Sequence, residues 1–181
     1  MREIEVKLRV KDLAGLKNKL EFLGCELSFP IKQHDLIYTK KGDSSIWEGN
    51  KSGYVVMRLR QEDDRAIFNL KQQRSNELDS IEVETKVDKP EAIKNILAIL
   101  GYEPQVEVKK IRQKGRFKDY EICLDEVEKL GAFVELEKMT DDEVDAEKIQ
   151  EELLLALEFL GLSREDQETK GYDTQIYHLK N

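Results

Sequence analysis

Only two cysteines, Cys25 and Cys123, occur in this 181-residue chain. They are too few for a disulfide scaffold, lack metal-ligand spacing, and read as reduced cytosolic thiols. The two histidines, His34 and His178, also show no ligand spacing and are expected to be surface or hydrogen-bonding groups. No apolar run approaches the ~20 residues that span a bilayer. The N-terminal Met1-Arg2-Glu3-Ile4-Glu5 contains no apolar signal region. The expectation is therefore a cytoplasmic protein with no membrane partner. Basic residues are not in excess either: 30 Lys and Arg face 38 Asp and Glu, a net charge of −8. That balance argues against a nucleic-acid platform, which needs a basic face to neutralise phosphates. It leaves room for a local basic cavity, because fields focus locally.

What the chain does have is charge in order. Charged residues make up 38% of it, against about a quarter in ordinary globular domains. The apolar 39% falls in periodic runs, so disorder does not explain the excess. The charges coat a surface or line something. The length fits one domain over residues 1–181.

Three segments have helical periodicity. The first follows Asp12, a good N-cap, and places Leu13, Leu16, Leu20 and Leu23 on one stripe before Gly24. The second has Asp88 as its expected cap and Pro90 in its first turn, and runs through Ile93, Ile96, Leu97 and Leu100 to Gly101. The third runs from about Asp145 to Gly161. Each ends in Leu-Gly, as a left-handed C-terminal cap requires. Alternating stretches at 2–10, 31–39, 54–62, 65–73, 79–87, 105–114, 116–125 and 132–139 predict strands, and 40–53 reads as a long loop. Trp47 within that loop is read as a packing residue, with a cap on a cavity mouth or a stacking surface as alternatives. The composition of elements is α+β.

The sequence also repeats. A shift of 77 residues, without gaps, aligns Ile4-Glu5-Val6 with Ile81-Glu82-Val83 and Leu23-Gly24 with Leu100-Gly101. In all, 10 of the 23 positions from 4 to 26 are identical. Two strand–helix–strand units imply a pseudo-two-fold domain.

The strands carry the chemical signal. Residues i, i+2 and i+4 share a face. Glu3, Glu5, Lys7 and Arg9 lie together, as do Arg58 and Arg60, Asn69 and Lys71, Glu82, Glu84 and Lys86, Lys110 and Arg112, and Glu135 and Glu137. For one strand, a solvated charged face is the ordinary reading. With charge on one face of at least six strands, and three amphipathic helices to cover the apolar faces, the charged faces turn inward. About eight strands close a barrel whose lumen holds side chains or one small ligand. Such a lumen must balance its charges. Paired carboxylates suit Mg²⁺ or Mn²⁺, and Arg and Lys suit phosphate oxygens. Together they are the equipment of phosphoryl or nucleotidyl transfer. Deleting Arg60 is expected to weaken binding of a phosphate-bearing polyanion and to relieve repulsion among neighbouring bases.

Glu3-Ile4-Glu5-Val6-Lys7 resembles the N-terminal signature of the CYTH superfamily, the triphosphate tunnel metalloenzymes. The ordered set Arg58-Leu59-Arg60, Asn69-Leu70-Lys71, Glu82 and Glu84, Lys110-Ile111-Arg112, Leu124-Asp125-Glu126-Val127 and Val134-Glu135-Leu136-Glu137 extends the resemblance from Met1 to Tyr172. The resemblance implies an eight-stranded antiparallel tunnel with helices outside. It implies metal ligation by Glu3, Glu5, Glu135 and Glu137, with Glu82 and Glu84 as further candidates. Lys7, Arg58, Arg60, Lys71, Lys110 and Arg112 would grip the triphosphate. Glu5, Lys71 and Asp125 are the expected catalytic residues, Asp125 near the reacting end or a base contact. Gly131-Ala132-Phe133-Val134-Glu135, Met139-Thr140-Asp141-Asp142 and Thr169-Lys170-Gly171-Tyr172 are similar to the class IV adenylyl cyclase branch. Ile37 stands where the family often has Tyr, and Tyr38 follows one position later. The implied activities are cyclisation of ATP to cyclic AMP and pyrophosphate, hydrolysis of an inorganic, thiamine or nucleoside triphosphate, or binding of a polyphosphate or nucleotide without catalysis. A homodimer is a further expectation.

Overall fold

The computed structural model describes residues 2–48, 52–141 and 143–180. Met1, the 49–51 portion of the long loop and Asp142 of the cyclase-like stretch lie outside them. Eight antiparallel strands close a barrel: β1 (Arg2–Arg9), β2 (Ile31–Lys40), β3 (Val55–Glu62), β4 (Arg65–Gln73), β5 (Asp79–Val87), β6 (Tyr102–Phe117), β7 (Tyr120–Val127) and β8 (Gly131–Thr140). Their order around the barrel is β1-β5-β4-β3-β2-β6-β7-β8. Exchanging β1–β4 with β5–β8 maps that order onto itself, so the pseudo-two-fold read from the repeat is carried by the topology. Arg2 and Asp79, 77 residues apart, meet in a buried two-pronged ion pair with Nε–Oδ1 at 2.7 Å and Nη2–Oδ2 at 2.9 Å. This pair clamps β1 to β5 at the barrel seam.

Helices α1 (Leu13–Phe22), α2 (Pro90–Ile99) and α3 (Ala146–Phe159) lie outside the barrel. Asp12 caps α1 by accepting from the Gly15 amide, and Asp145 caps α3 through the Glu147 and Lys148 amides. Asp88 does not cap α2. Lys89 occupies that position without a side-chain bond, and Pro90 starts the helix because its missing N–H loses nothing there. Gly24, Gly101 and Gly161 end the helices at φ of 81°, 82° and 84°, a region that favours glycine. The outward residues Val6, Leu8, Leu124, Val134 and Leu136 pack under α1 and α3 with Leu16, Leu20, Leu153 and Leu157. Tyr38 and Leu59 pack under α2 with Leu97. The apolar faces are thus covered from outside, which turns the charged faces inward. Among the described residues no helix is long and apolar enough to cross a membrane.

Two features depart from the expected elements. The boundary placed between 114 and 116 is absent, because β6 continues to Phe117 and the turn falls at Lys118, where φ is 56°. A fourth helix, α4 (Tyr172–Lys180), was not expected. It is nine residues long and largely polar, and it shuts one end of the barrel. Ile176 and Tyr172 meet Ile37, Val106, Val108, Val127 and Phe133 there, and Trp47 stacks on Tyr177 with ring centroids 5.0 Å apart. The indole donates to Gln105 at 2.7 Å. Trp47 is therefore the packing residue it was read as, and it also closes a mouth of the cavity.

Candidate active site

The lumen forms a cavity of about 780 Å³, within the range that holds small organic ligands. Every metal-ligand and phosphate-gripping candidate read from the sequence lines it; Asp125 does not, and of the other residues on the charged faces neither do Arg9, Asn69 and Lys86. Asp125 lies fully buried immediately behind the basic wall. Arg9 keeps the inward parity but has passed the barrel rim. It bonds the Leu130 carbonyl, Glu168 and Gln175 instead.

The acidic centre follows from strand pairing. β1 and β8 are antiparallel neighbours, and their register sets Glu5 opposite Glu137 and Lys7 opposite Glu135. Two Glu-x-Glu segments therefore converge, and Glu5, Glu135 and Glu137 offer ligand oxygens all within 4.8 Å of one another. Bringing three carboxylates together costs free energy, and their protonation records it. Burial, then the neighbouring Glu135, pushes Glu5 up to about 7. Burial pushes Glu3 up to about 9; Lys71 opposes this, and Glu137, Glu82 and Glu5 reinforce it. Burial also raises Glu137, against the pull of Arg112. Glu135 goes the other way: Arg112, Lys7 and Lys110 outweigh its burial and hold it well below the ordinary range. Clustered, partly desolvated carboxylates of this kind fit a hard divalent cation, whose charge reverses the penalty.

A pH dependence follows. Folded Glu5 and Glu3 keep protons that the unfolded chain has already lost, so the folded state binds more protons across that interval. The stability of the metal-free protein should therefore fall as pH rises from about 5 through 9. Saturating Mg²⁺ should restore more stability at pH 9 than at pH 6, because it binds the ionised carboxylates. Melting temperatures across this range check both, and a metal-free profile that rises with pH would contradict them.

The basic wall has a counter-ion for each cation. Arg60 donates through Nε and Nη2 to both oxygens of Asp35 at 2.7 Å. Burial opposes ionisation of Asp35, but Arg60 and Arg58 outweigh it and depress the carboxyl. Arg58 lies 3.8 Å from Asp35 and 3.9 Å from Glu82. Lys71 pairs with Glu82 and, at 3.5 Å, with Glu3. Arg112 holds Asp125 by Nε at 2.7 Å and Nη2 at 2.5 Å, pairs with Glu135, and reaches Glu137 at 3.4 Å. Lys110 meets Asp125 at 3.1 Å, and Lys7 meets Glu135 at 3.3 Å. Burial and Arg112 lower the pKa of Lys110.

This arrangement revises several roles. Glu82 does not join the three-carboxylate group. Burial opposes its ionisation, but ion pairs with Lys71 and Arg58 outweigh that and depress its pKa, and Asn69 also donates to it at 2.9 Å. Glu84 is exposed at the rim, opposite Asn69. Asp125 has its oxygens committed to Arg112, Lys110 and the Tyr172 hydroxyl; it orients bases rather than facing the cavity. The expected relief of repulsion on losing Arg60 meets an opposing effect, because Asp35 neutralises that guanidinium directly.

Asp35, Lys114 and Tyr172 also belong to the site, and sequence reasoning gave them no role. The alternation Gln33-Asp35-Ile37 on β2 carried the signal for Asp35, and Lys110-Arg112-Lys114 carried it for Lys114. For Tyr172 the signal was its place in the Thr169-Lys170-Gly171-Tyr172 stretch, which gave it no role, and the helix that it begins was not expected. Ile37 faces the lumen, whereas Tyr38 has the opposite parity and packs under α2. Tyr38 therefore does not share the lumen position of Ile37.

Residues 1–172 match the CYTH domain family. A Methanocaldococcus jannaschii protein named "Putative adenylate cyclase MJ0240" is 29% identical over 174 residues, covering 95% of this chain and 97% of the relative. Adenylate cyclase CyaB of Aeromonas hydrophila is 27% identical over 172 residues, covering 95% and 87%. The structure of the PH1012 protein of Pyrococcus horikoshii OT3 superposes with a TM-score of 0.79 at 26% identity, covering 96% of this chain and 98% of that one.

Proposed function

Because the chain belongs to the CYTH family, whose members generally act on triphosphates, we propose that its tunnel is the active site of a metal-dependent enzyme that converts ATP to cyclic AMP and pyrophosphate. One observation carries the reading: a three-carboxylate group shares one lumen with Lys7, Arg58, Arg60, Lys71, Lys110 and Arg112. A polyanion fits the bases, and a divalent ion fits the acids. Glu5, Glu135 and Glu137 would hold Mg²⁺ or Mn²⁺, with Glu3 beside them, and the ion would supply neutralisation of phosphate charge.

The chain's own groups do the rest. Arg58, Arg60, Lys110 and Arg112 grip the phosphate oxygens, and Lys7 and Lys71 flank the acidic centre from either side. The ribose 3′-oxygen forms a bond to the α-phosphorus, the bond from that phosphorus to pyrophosphate breaks, and the hydroxyl proton leaves to solvent. Lys71 balances charge on the departing oxygens. Asp35 and Asp125 keep Arg60 and Arg112 aimed, so the grip needs little reorganisation. The apolar stretch of lumen at Ile37, Ile46, Val56 and Val108 has nothing to offer inorganic triphosphate. It suits an organic moiety, and the names of the two relatives favour a nucleoside.

The test is a product analysis. The protein is incubated with ATP, inorganic triphosphate and thiamine triphosphate, each with Mg²⁺ or Mn²⁺, and cyclic AMP, pyrophosphate and phosphate are separated. Cyclic AMP with equimolar pyrophosphate is expected. Phosphate release without cyclic AMP would make the enzyme a triphosphatase. Binding without turnover would make it a polyphosphate or nucleotide binder.

A further inference from the structure

We propose that Tyr172, the first residue of the C-terminal helix, is a positioning residue for the phosphate grip: its ring holds two lysines and its hydroxyl holds the counter-ion of an arginine. This rests on the triphosphate reading above. The Lys7 ammonium lies 4.1 Å from the ring centroid and the Lys110 ammonium 4.9 Å from it. The hydroxyl donates to Asp125 Oδ2 at 3.0 Å, the same carboxylate that holds Arg112 on two prongs and Lys110. The residue is only 7% exposed.

An aromatic ring does here what a carboxylate could not. Two ammoniums gathered in one lumen repel, and a further acid would restrain them only by competing with phosphate for them. The negative face of a ring attracts both and carries no net charge. The acid partners of Lys7 are Glu135 and Glu5, which belong to the carboxylate group assigned to the metal. When those oxygens turn to a cation, the ring and the Lys170 carbonyl, which accepts from the Lys7 ammonium at 3.3 Å, remain as partners of Lys7. The tail that delivers the ring is tied to the barrel: Glu168 N donates to the Lys7 carbonyl at 2.8 Å, and Gly171 N to Glu77 at 2.8 Å. The C-terminal segment thus completes the basic wall in addition to closing the barrel end.

The test compares Tyr172→Phe with Tyr172→Leu. Phe keeps the ring and loses the hydroxyl, whereas Leu loses both. By calorimetry, Tyr172→Phe should bind inorganic triphosphate within about threefold of wild type, and Tyr172→Leu about tenfold or more weakly. In the ligand-free proteins the Lys7 and Lys110 ε-proton resonances should be ring-shifted upfield in wild type and Tyr172→Phe and should move downfield in Tyr172→Leu. Equal weakening in both variants would leave the grip to the hydroxyl alone and overturn the hold of the ring on the lysines, and no weakening in either would overturn both. If wild type binds no triphosphate, the functional reading falls, and the lysine resonances alone then decide the placement of the ring.

Discussion

Glu5→Gln should lower turnover by about two to three orders of magnitude while raising the melting temperature of the metal-free protein. The two effects have one cause. Glu5 is partly buried against Glu135 and Glu137, and desolvation and the Glu135 charge disfavour its ionised form and push its pKa up to about 7. At pH 8 the wild type must hold it ionised, at a cost the isosteric amide does not incur. Lys7 keeps Glu135 at 3.3 Å, so no cation is stranded. The same change takes one anionic oxygen from the metal group, and a Lewis-acid contribution of several kcal/mol corresponds to the stated loss in rate. Stability would thus rise where activity falls, the trade expected at a site held under strain. Calorimetric metal titration, thermal melts and steady-state rates on one preparation check it. Full activity with unchanged metal dependence would remove Glu5 from the ligand set.

How much of this was legible in the sequence depends on which physical signal each residue carried. Period-two alternation reports which side chains share a face, so Glu3, Glu5, Lys7, Arg58, Arg60, Lys110, Arg112, Glu135 and Glu137 could be placed together on charge and parity alone. The barrel followed because covered apolar faces force charged ones inward. Alternation does not report register, which decides who meets whom. Glu5 faces Glu137 because β1 and β8 are neighbours, and no feature of either segment states that. Glu82 looked equivalent to Glu5 through the repeat. Its strand lies beside β4, however, and delivers it to Lys71 and Asn69 instead. The helix that places Tyr172 was unreadable for another reason: a short polar helix has little amphipathic periodicity, and the tertiary packing of Ile176 and Tyr177 stabilises it.

Arg60→Ala should destabilise the empty protein by about 3–5 kcal/mol, the cost typical of removing one partner from a buried pair. Asp35 is 3% exposed, and Arg60 makes two 2.7 Å bonds to it. Truncation leaves that carboxylate in the lumen wall with Arg58 at 3.8 Å as its remaining close cation. Asp35 is depressed by these arginines, so its contribution is present above the unfolded carboxyl pKa and is lost as pH falls through the folded value. The destabilisation should accordingly shrink in acid. Triphosphate affinity should fall more than tenfold, because a phosphate contact is lost and an unneutralised acid now faces the same oxygens; monophosphate, reaching fewer bases, should be less affected. The double variant Asp35→Ala/Arg60→Ala separates the causes. Removing both charges leaves neither stranded, so it should be more stable than Arg60→Ala alone and should recover part of the affinity. Urea unfolding of wild type, both single variants and the double variant measures the coupling. A gain in stability in Arg60→Ala would mean that repulsion among the bases outweighs the Asp35 pair, and the lumen would then be a basic cage short of counter-charge.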